Sequence, residues 1–532
     1  MLSRVPLYFR TIRRMRSGMV ISRLRGQRRL PERTFAGDHN LCMPRMAIRE
    51  LDLDSSYLAR FDADALLDGK FLLINDRCKV NLETWSVPEA SHLWNFNLHY
   101  FEWGVALAAR WRETGDERYL DCFKRLASSW IGSCSYPEGD AWHPYTISLR
   151  LVNWLVAIDL FSGEIQNDAE IFAIMRESMY RQYRHLLANQ ETHLRANHWW
   201  ENLKTLAIMS AAFGEHGVHV KVMRLLAGQL DEQILPDGVH FERSLMYHKL
   251  VLEGMLRVYV ASDQLGFELP SNFMPKAKSM LDAMASLERG MGKTPFFNDA
   301  ADGVAKECGP LAASCARLLD MDVDDSKTEF PNAGYYKLYN GDLAVMFDAG
   351  EAGPSYMLGH AHCDCLSFEL SYRGKPIFVN SGTYAYQSDL RSYFRSTAAH
   401  NTCMVDGEEQ LECWGEHRVG RGYRCVELVE CSNRSICACL TLASGMQIVR
   451  TLTISDASVR IIDDSPGHPH AFLRATLMAK STSHVHLAVL VGERVQREAF
   501  YSPVFGVIEP RQSDAWVGRG HLEAILKVRD PS

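Results

Sequence analysis

The sequence predicts an α+β multidomain chain: a ring of helical hairpins followed by an antiparallel β-sandwich. Three observations predict it. From about Leu58 to Leu319, apolar residues recur at three- and four-residue spacing, the period of helices with one buried face. From Ala333 onward the texture changes to short runs rich in β-branched and aromatic residues, separated by turn pairs such as Arg373-Gly374 and Asp406-Gly407. Polar helix openings at Trp94, His143, Asn197 and Tyr247 lie 49, 54 and 50 residues apart, each interval the size of two helices and their links. Equivalent openings on one rim of a ring would turn free N–H groups and helix dipoles toward an anionic ligand.

The helical elements follow in order: Tyr100 to Arg110, Tyr119 to Trp130, Ile147 to Phe161, Glu170 to Leu187, Leu203 to Phe213, Leu245 to Leu265 and Met274 to Leu287. The expected strands are Leu343 to Phe347, Cys365 to Tyr372, Pro376 to Val379, Thr402 to Val405, Gly422 to Glu430, Ser435 to Leu442, Gln447 to Ile454 and Val459 to Asp463. Regular short strands with turn signals indicate a sandwich. The acidic connector Asp320 to Pro331 separates the two units. The organisation is thus a basic N-terminal extension over 1–57, a helical ring over 58–320 and a β-sandwich over 332–532.

Composition excludes some classes. At 532 residues the chain exceeds one comfortable core. Its 47% hydrophobic and 23% charged residues are ordinary for a globular protein. A net charge of −7 gives no field that favours nucleic acid, so an anionic partner must be held by local Arg, Lys and helix termini. The fourteen cysteines are irregularly spaced, and Cys363-Asp364-Cys365 is too tight for a paired zinc knuckle, so they read as small buried thiols. The first thirty residues hold nine Arg and no acid. Their apolar pieces are too short for a signal segment, which favours the cytoplasm, and no window is long enough for a transmembrane helix.

The stretch Gly359-His360-Ala361-His362-Cys363-Asp364-Cys365-Leu366-Ser367-Phe368 stands out. At the period of a strand, His360, His362 and Asp364 share one face, continued by Leu366, Phe368 and Leu370. A second polar knot, Arg395 to Thr402, holds His400. With Asn197, His198, Glu201, Arg243, Tyr247 and His248 these make a candidate site in a cleft between the units. Tyr, His and Asn dominate it, rather than the paired carboxylates of a glycosidase. That set suits proton abstraction α to a carboxylate: an amide or imidazolium neutralises the carboxylate, and Tyr or His serves as base and acid. On a uronic acid in a polysaccharide this is β-elimination. Trp199 and Trp200 read as packing or sugar-stacking walls.

Asn197-His198-Trp199-Trp200-Glu201-Asn202, Glu242-Arg243-Ser244-Leu245-Met246-Tyr247-His248, Gly359 to Phe368 and Arg395 to Thr402, in that order, resemble the heparinase II/III family and its related alginate lyases. The resemblance implies an (α/α) toroid followed by an antiparallel β-sandwich, and polysaccharide lyase activity on an acidic polysaccharide or oligosaccharide. It implies that Asn197, with His198 beside it, neutralises the uronate. Tyr247 is then general acid and, for one C5 epimer, also base, and His360 is the base for the other epimer or polarises the site. Glu201, Arg243, His248, Trp199, Arg395 and His400 are expected to contact substrate. No cofactor is required for the chemistry, but the resemblance implies a structural Zn2+ on two His, which His362 and His400 match, and an Asp, for which Asp364 is the candidate substitute. The chain departs from the family at Asn380, where an Asp ligand is usual and a neutral amide is a poorer one. The same resemblance favours the periplasm. Two other readings compete: a hydrolase using Glu201, Glu242 or Asp364, and a non-catalytic glycan-binding protein of a bacterial surface-polysaccharide system.

Overall fold

A computed structural model of the chain describes residues 5–24, 26–479 and 485–528. None of the described helices is long and apolar enough to cross a membrane. Two helices, α1 (Val5–Arg14) and α2 (Ser17–Leu24), come first. A small hairpin of β1 (Lys70–Leu73) and β2 (Asp76–Lys79) then precedes the long helices. Those helices are His92–Tyr100, Glu102–Thr114, Glu117–Ser133, Pro144–Leu160, Ala169–Ala188, Ala196–Ala212, His216–Gln233, Leu245–Leu265, Phe273–Glu288 and Cys308–Leu319.

Each expected helical run lies in one of these, with one revision. Tyr100 closes a helix rather than opening one, because Phe101 takes a left-handed backbone (φ 59°) and starts the next. His216–Gln233, whose valines and glycines weaken the helical signal, and Cys308–Leu319 are not among the expected runs. Ala196–Ala212 is buried on every side except at His198, as expected for an inner helix of the ring. The helical core is aromatic: Trp85, Trp94, Trp103, Trp130, Trp154 and Trp200 are all sealed within it. Leu41, Met46, Ile48 and Leu51 pack into the same core, so the segment before residue 58 contributes to the helical unit.

The β-rich unit begins with β3 (Glu329–Phe330), β4 (Tyr335–Tyr339), β5 (Leu343–Asp348), β6 (Phe368–Tyr372) and β7 (Lys375–Phe378), paired antiparallel in that order. It continues through β8 (Cys403–Val405) and the hairpin β9 (Leu411–Trp414) with β10 (Arg418–Gly422). The remaining strands are β11 (Cys425–Cys431), β12 (Ser435–Thr441), β13 (Gln447–Ser455), β14 (Ser458–Asp464), β15 (Phe472–Leu477), β16 (Val485–Val491), β17 (Glu493–Tyr501), β18 (Glu509–Arg519) and β19 (His521–Val528). They form a six-stranded sheet, β11-β12-β13-β14-β19-β16, and a four-stranded one, β17-β18-β15-β8. Strands β12 and β13 alternate buried and half-buried residues, the mark of a sheet wet on one face.

Strand β5 is buried on both faces. Leu343, Val345 and Phe347 enter the sandwich core, whereas Ala344 and Met346 pack with Leu245 and Leu287 of the toroid. The first sheet is therefore the joint between the two units. All fourteen cysteines are unpaired.

The expected strand over Cys365 to Tyr372 starts only at Phe368, because Leu366 adopts φ 59° and turns the chain. The face expected for His360, His362 and Asp364 survives without the strand. Asn298 Oδ1 accepts from His362 N at 3.0 Å, Asp364 Oδ2 accepts from Asn298 N at 2.6 Å, and Asp299 N donates to His360 O at 3.0 Å. The loop is held extended against residues 298–299.

Candidate active site

Two walls face each other. The toroid wall is made of helix openings. His143 caps Pro144–Leu160, Asn197 and His198 lie in the first turn of Ala196–Ala212, and Tyr247 lies in the first turn of Leu245–Leu265, which Ser244 caps. Trp94 also opens a helix but is sealed in the core, with its indole donating to Asp76 O. Arg195, Ala196, Arg243 and Asn298 all have left-handed backbones next to these openings. Such residues cost roughly 1–3 kcal/mol each and persist where surrounding structure holds them.

Asn197 Nδ2 donates to Tyr145 Oη at 3.2 Å, while its Oδ1 is buried with no partner. Turned end for end, the amide would aim Nδ2 at a ligand carboxylate and donate to it. His198 Nδ1 lies 2.9 Å from Glu191 Oε1, and its ring packs 4.4 Å from Tyr145. Burial works against charge on His198, but the Glu191 carboxylate outweighs it and raises its pKa. Glu191 is held below the usual carboxylate range despite burial, through His198 and His143. The pair presents an imidazolium to the cleft.

The sandwich wall is organised by Asp299. Its Oδ2 lies 2.8 Å from His360 Nδ1 and accepts from Arg391 NH2 at 2.8 Å. Its Oδ1 lies 2.9 Å from His362 Nε2 and accepts from Thr383 Oγ1 at 3.2 Å and from Arg391 NH1. Although burial opposes its charge, Arg391 and the two imidazoles keep Asp299 ionised, well below the usual range. An ionised Asp299 must receive the Nδ1 proton of His360, which leaves Nε2 as the ring's basic nitrogen. Glu242 Oε1 is 3.8 Å from that nitrogen, and burial raises the Glu242 pKa.

The Tyr247 ring lies 4.5 Å from the His360 ring. Tyr247 and Tyr386 share a hydroxyl hydrogen bond of 2.7 Å, and the Tyr386 ring is 4.8 Å from His417. Burial, with Tyr386 and Asp299 nearby, pushes Tyr247 well above the ordinary phenol value, so it is a proton donor at neutral pH. Burial lowers His417 to about 3 and leaves it neutral. Asp299, His360 and His417 form a cluster with ligand atoms within 4.8 Å of one another. Both Asp299 oxygens also accept hydrogen bonds from Arg391 and the neighbouring side chains, which compete with an ion for them.

Several expected contacts are not at the cleft. His248 is fully buried: Nε2 lies 2.9 Å from Met280 O and Nδ1 accepts from His240 N at 3.2 Å, so it braces a turn. Arg243 Nε and NH2 donate to Ala333 O and Asn332 O at 2.8 and 3.2 Å and tie the toroid to the first sheet. Arg395 is buried against Ala361 O, Glu416 O and Arg418 O, where it shapes the His360 loop. Glu201 is buried in an ion pair with Lys204. The Trp199 indole donates to Gln190 Oε1 at 3.1 Å, and its ring is nearly covered. These side chains bond chiefly within the protein, although Arg395 NH2 is buried without a hydrogen-bond partner.

His400 is likewise buried, with Nδ1 2.8 Å from Ser396 O. Its Nε2 lies 3.2 Å from His362 Nδ1. Burial lowers both rings to about 4, so both are neutral. With the other nitrogens donating to Asp299 and Ser396 O, the two facing nitrogens both carry lone pairs. That geometry fits a cation between them. Asp364 does not complete a three-ligand cluster with them, since its Oδ2 is bound to Asn298 N. Asn380 is spent elsewhere, donating to Phe296 O at 2.9 Å and accepting from Asn401 N at 3.0 Å.

Sequence reasoning missed Tyr145, Glu191, Asp299, Tyr386, Arg391 and His417. The signal for Asp299 was there: Asn298-Asp299 directly follows the apolar Phe296-Phe297. The others sit in loops or helix starts with ordinary polar surroundings.

The comparisons agree with this architecture. Residues 50–312 match the family description "Heparinase II/III N-terminus", and residues 323–525 match "Heparinase II/III-like, C-terminal". A heparin-sulfate lyase of Pedobacter heparinus is 23% identical over 62% of this chain and 54% of its own length. One from Bacteroides thetaiotaomicron is 22% identical over 70% of this chain and 62% of its own. The chain thus spans little more than half the length of these curated relatives. The crystal structure of a heparinase III superposes with a TM-score of 0.73 at 15% identity, covering 93% of this chain and 88% of that one, and shares the toroid-plus-sandwich fold. With both halves matched in order and the facing walls in place, the chain belongs to the heparinase II/III family.

Proposed function

We propose that this protein is a polysaccharide lyase that cleaves a uronic-acid-containing glycan by β-elimination. The observation that carries the reading is His360, oriented by Asp299 with its basic Nε2 free, packed against the protonated phenol of Tyr247. Asn197 and the His198 imidazolium receive the uronate carboxylate and acidify the C5 proton. His360 Nε2 takes that proton, and the raised phenol pKa argues against Tyr247 as the base for the other epimer. The Tyr247 phenol protonates the departing C4 oxygen, which leaves an unsaturated uronate end.

The curated relatives are named heparin-sulfate lyases, which makes a glycosaminoglycan the leading substrate class. A hydrolase needs two available carboxyl groups. Of the three considered, Glu201 is paired with Lys204 and Asp364 with Asn298 N, which leaves Glu242 alone.

Ultraviolet absorbance of mixtures with heparan sulfate, hyaluronan, chondroitin, alginate and bacterial acidic exopolysaccharides tests the reading. Growth of the conjugated double bond supports it; reducing ends without absorbance would replace it with hydrolysis. Tyr247→Phe and His360→Ala are each expected to lower kcat by about 10²–10⁴-fold on a susceptible glycan. Full activity in both variants would remove these roles.

His362 and His400 would hold a Zn2+ that locks the two site loops together and adds no chemical step. Metal analysis of the purified protein and a drop in melting temperature with chelator are expected. A metal-free protein with an unchanged melt would exclude it. The division between the two units is placed between Leu319 and Glu329.

A further inference from the structure

We infer that the cleft is closed at the end marked by Glu232, so that a glycan enters by a chain end and is shortened from its terminus. This rests on the lyase reading above. Glu232 joins three parts of the protein. Its Oε1 accepts from Tyr356 Oη at 2.8 Å and is ion-paired with Arg16 NH1 at 2.7 Å, and its Oε2 accepts from Gln229 Nε2 at 3.0 Å and from Arg195. The Arg16 guanidinium also lies 3.8 Å over the Tyr356 ring. Burial opposes the charge on Glu232, but these donors hold its pKa below the usual range. Arg195 immediately precedes the helix that carries Asn197 and His198, and Tyr356 lies four residues before His360. The clasp thus joins the two catalytic walls beside their working residues.

Helices α1 and α2 reinforce it. At one end Arg10 donates to Glu412 through Nε and NH2 at 2.8 and 2.6 Å, and Arg14 Nε donates to Gly420 O at 2.8 Å. Both contacts are on the β9–β10 hairpin, whose turn carries His417. At the other end the Ser22 and Thr192 hydroxyls are 2.7 Å apart, and Arg28 N donates to Asn189 Oδ1 at 2.6 Å. That loop carries Glu191, the partner of His198. The N-terminal segment is a strap from the His417 wall to the His198 wall. A polymer running through this end would have to displace a carboxylate held by four partners. The other side of His198 is lined by Tyr145, His143 and Phe96, with the last two rings 5.1 Å apart, and offers a stacking entrance.

The test follows unsaturated ends by absorbance and polymer length by size exclusion in one time course, on a glycan that the protein degrades. The wild type is expected to release small unsaturated products while the remaining polymer stays long. Arg16→Ala, which removes a half-exposed side chain, and Tyr356→Phe, which removes one hydroxyl, are expected to shift early products toward mid-sized chains. Their rate on a short oligosaccharide should be unchanged, and Glu232→Ala should shift products furthest. Melting curves confirm that each variant is folded. Early mid-sized products from the wild type, or an unchanged pattern in all folded variants, overturns the closed end. Absence of unsaturated product from the wild type on every glycan overturns the lyase reading and this inference with it.

Discussion

The side chains that set the chemistry do so through partners one step removed. In the proposed mechanism His360 serves as base because Asp299 accepts a hydrogen bond from its other nitrogen, and Asp299 stays charged because Arg391 spans both its oxygens. His198 holds its proton to higher pH than an ordinary imidazole because Glu191 outweighs its burial. This fixes a pH window. His198 has a raised pKa, so its contribution is present below the ordinary imidazole value and is lost as pH rises through the raised one. Glu191 has a depressed pKa, so its contribution is present above the ordinary carboxylate value and is lost as pH falls through the depressed one. Uronate binding is therefore expected to weaken on the alkaline side as His198 loses its proton. Glu191→Gln leaves burial as the main influence on His198 and should move the alkaline limb of kcat/KM to lower pH while raising KM. An alkaline limb that stays in place in this variant would remove His198 as the carboxylate's counter-charge. The residues proposed to react stand out in the sequence because each sits in a dense polar motif. Their partners were not, since Glu191, Asp299 and Arg391 lie 7, 61 and 31 positions from His198, His360 and His360, and only folding brings them together.

At the scale of elements, period and spacing carried most of the reading. The inner helix Ala196–Ala212 and the alternating strands β12 and β13 followed their patterns. The His360–Asp364 segment obeyed the strand's alternation without being one, because its partner is the short stretch Asn298-Asp299 rather than a ladder. Arg243, His248 and Arg395 looked like ligand contacts because a buried charged or polar side chain in a motif has the same sequence signature whether it binds substrate or backbone carbonyls. Arg450 shows how such residues hold a site. It forms a two-pronged bond from β13 to Asp463 of β14, at 2.7 and 2.9 Å, and its NH1 donates to Leu366 O and Asn401 O. Those carbonyls belong to the loops that carry Asp364 and His400. Arg450→Met would leave Asp463 buried and unpaired and should cost about 3–5 kcal/mol of stability, read by denaturant unfolding. Loss below about 1 kcal/mol would mean that the pair is dispensable.

On the scale of the whole molecule, the cleft is only as well defined as the joint between its walls. That joint is extensive. Met246 and Tyr247 of the toroid pack with Phe296, Val379, Tyr501 and Phe505, and Leu245 and Leu287 pack with Tyr335 and Met346. Polar ties cross it too: Arg243 reaches Ala333 O, Tyr335 donates to Arg243 O, and Ser244 Oγ donates to Asp299 O at 2.7 Å. The last tie is telling, because Ser244 caps the Tyr247 helix and Asp299 orients His360, so the proposed acid and base are positioned through one shared hydrogen bond. Domains joined by small polar contacts move independently, whereas a large apolar joint makes them unfold together. Calorimetry should therefore show one cooperative transition despite two folding units. Introducing a charge at the joint with Met346→Glu should lower that single transition and reduce kcat together, since it separates the Tyr247 wall from the His360 wall. Two resolved transitions in the unaltered protein would mean that the walls are mobile, and the fixed spacing of Tyr247 and His360 would no longer account for catalysis.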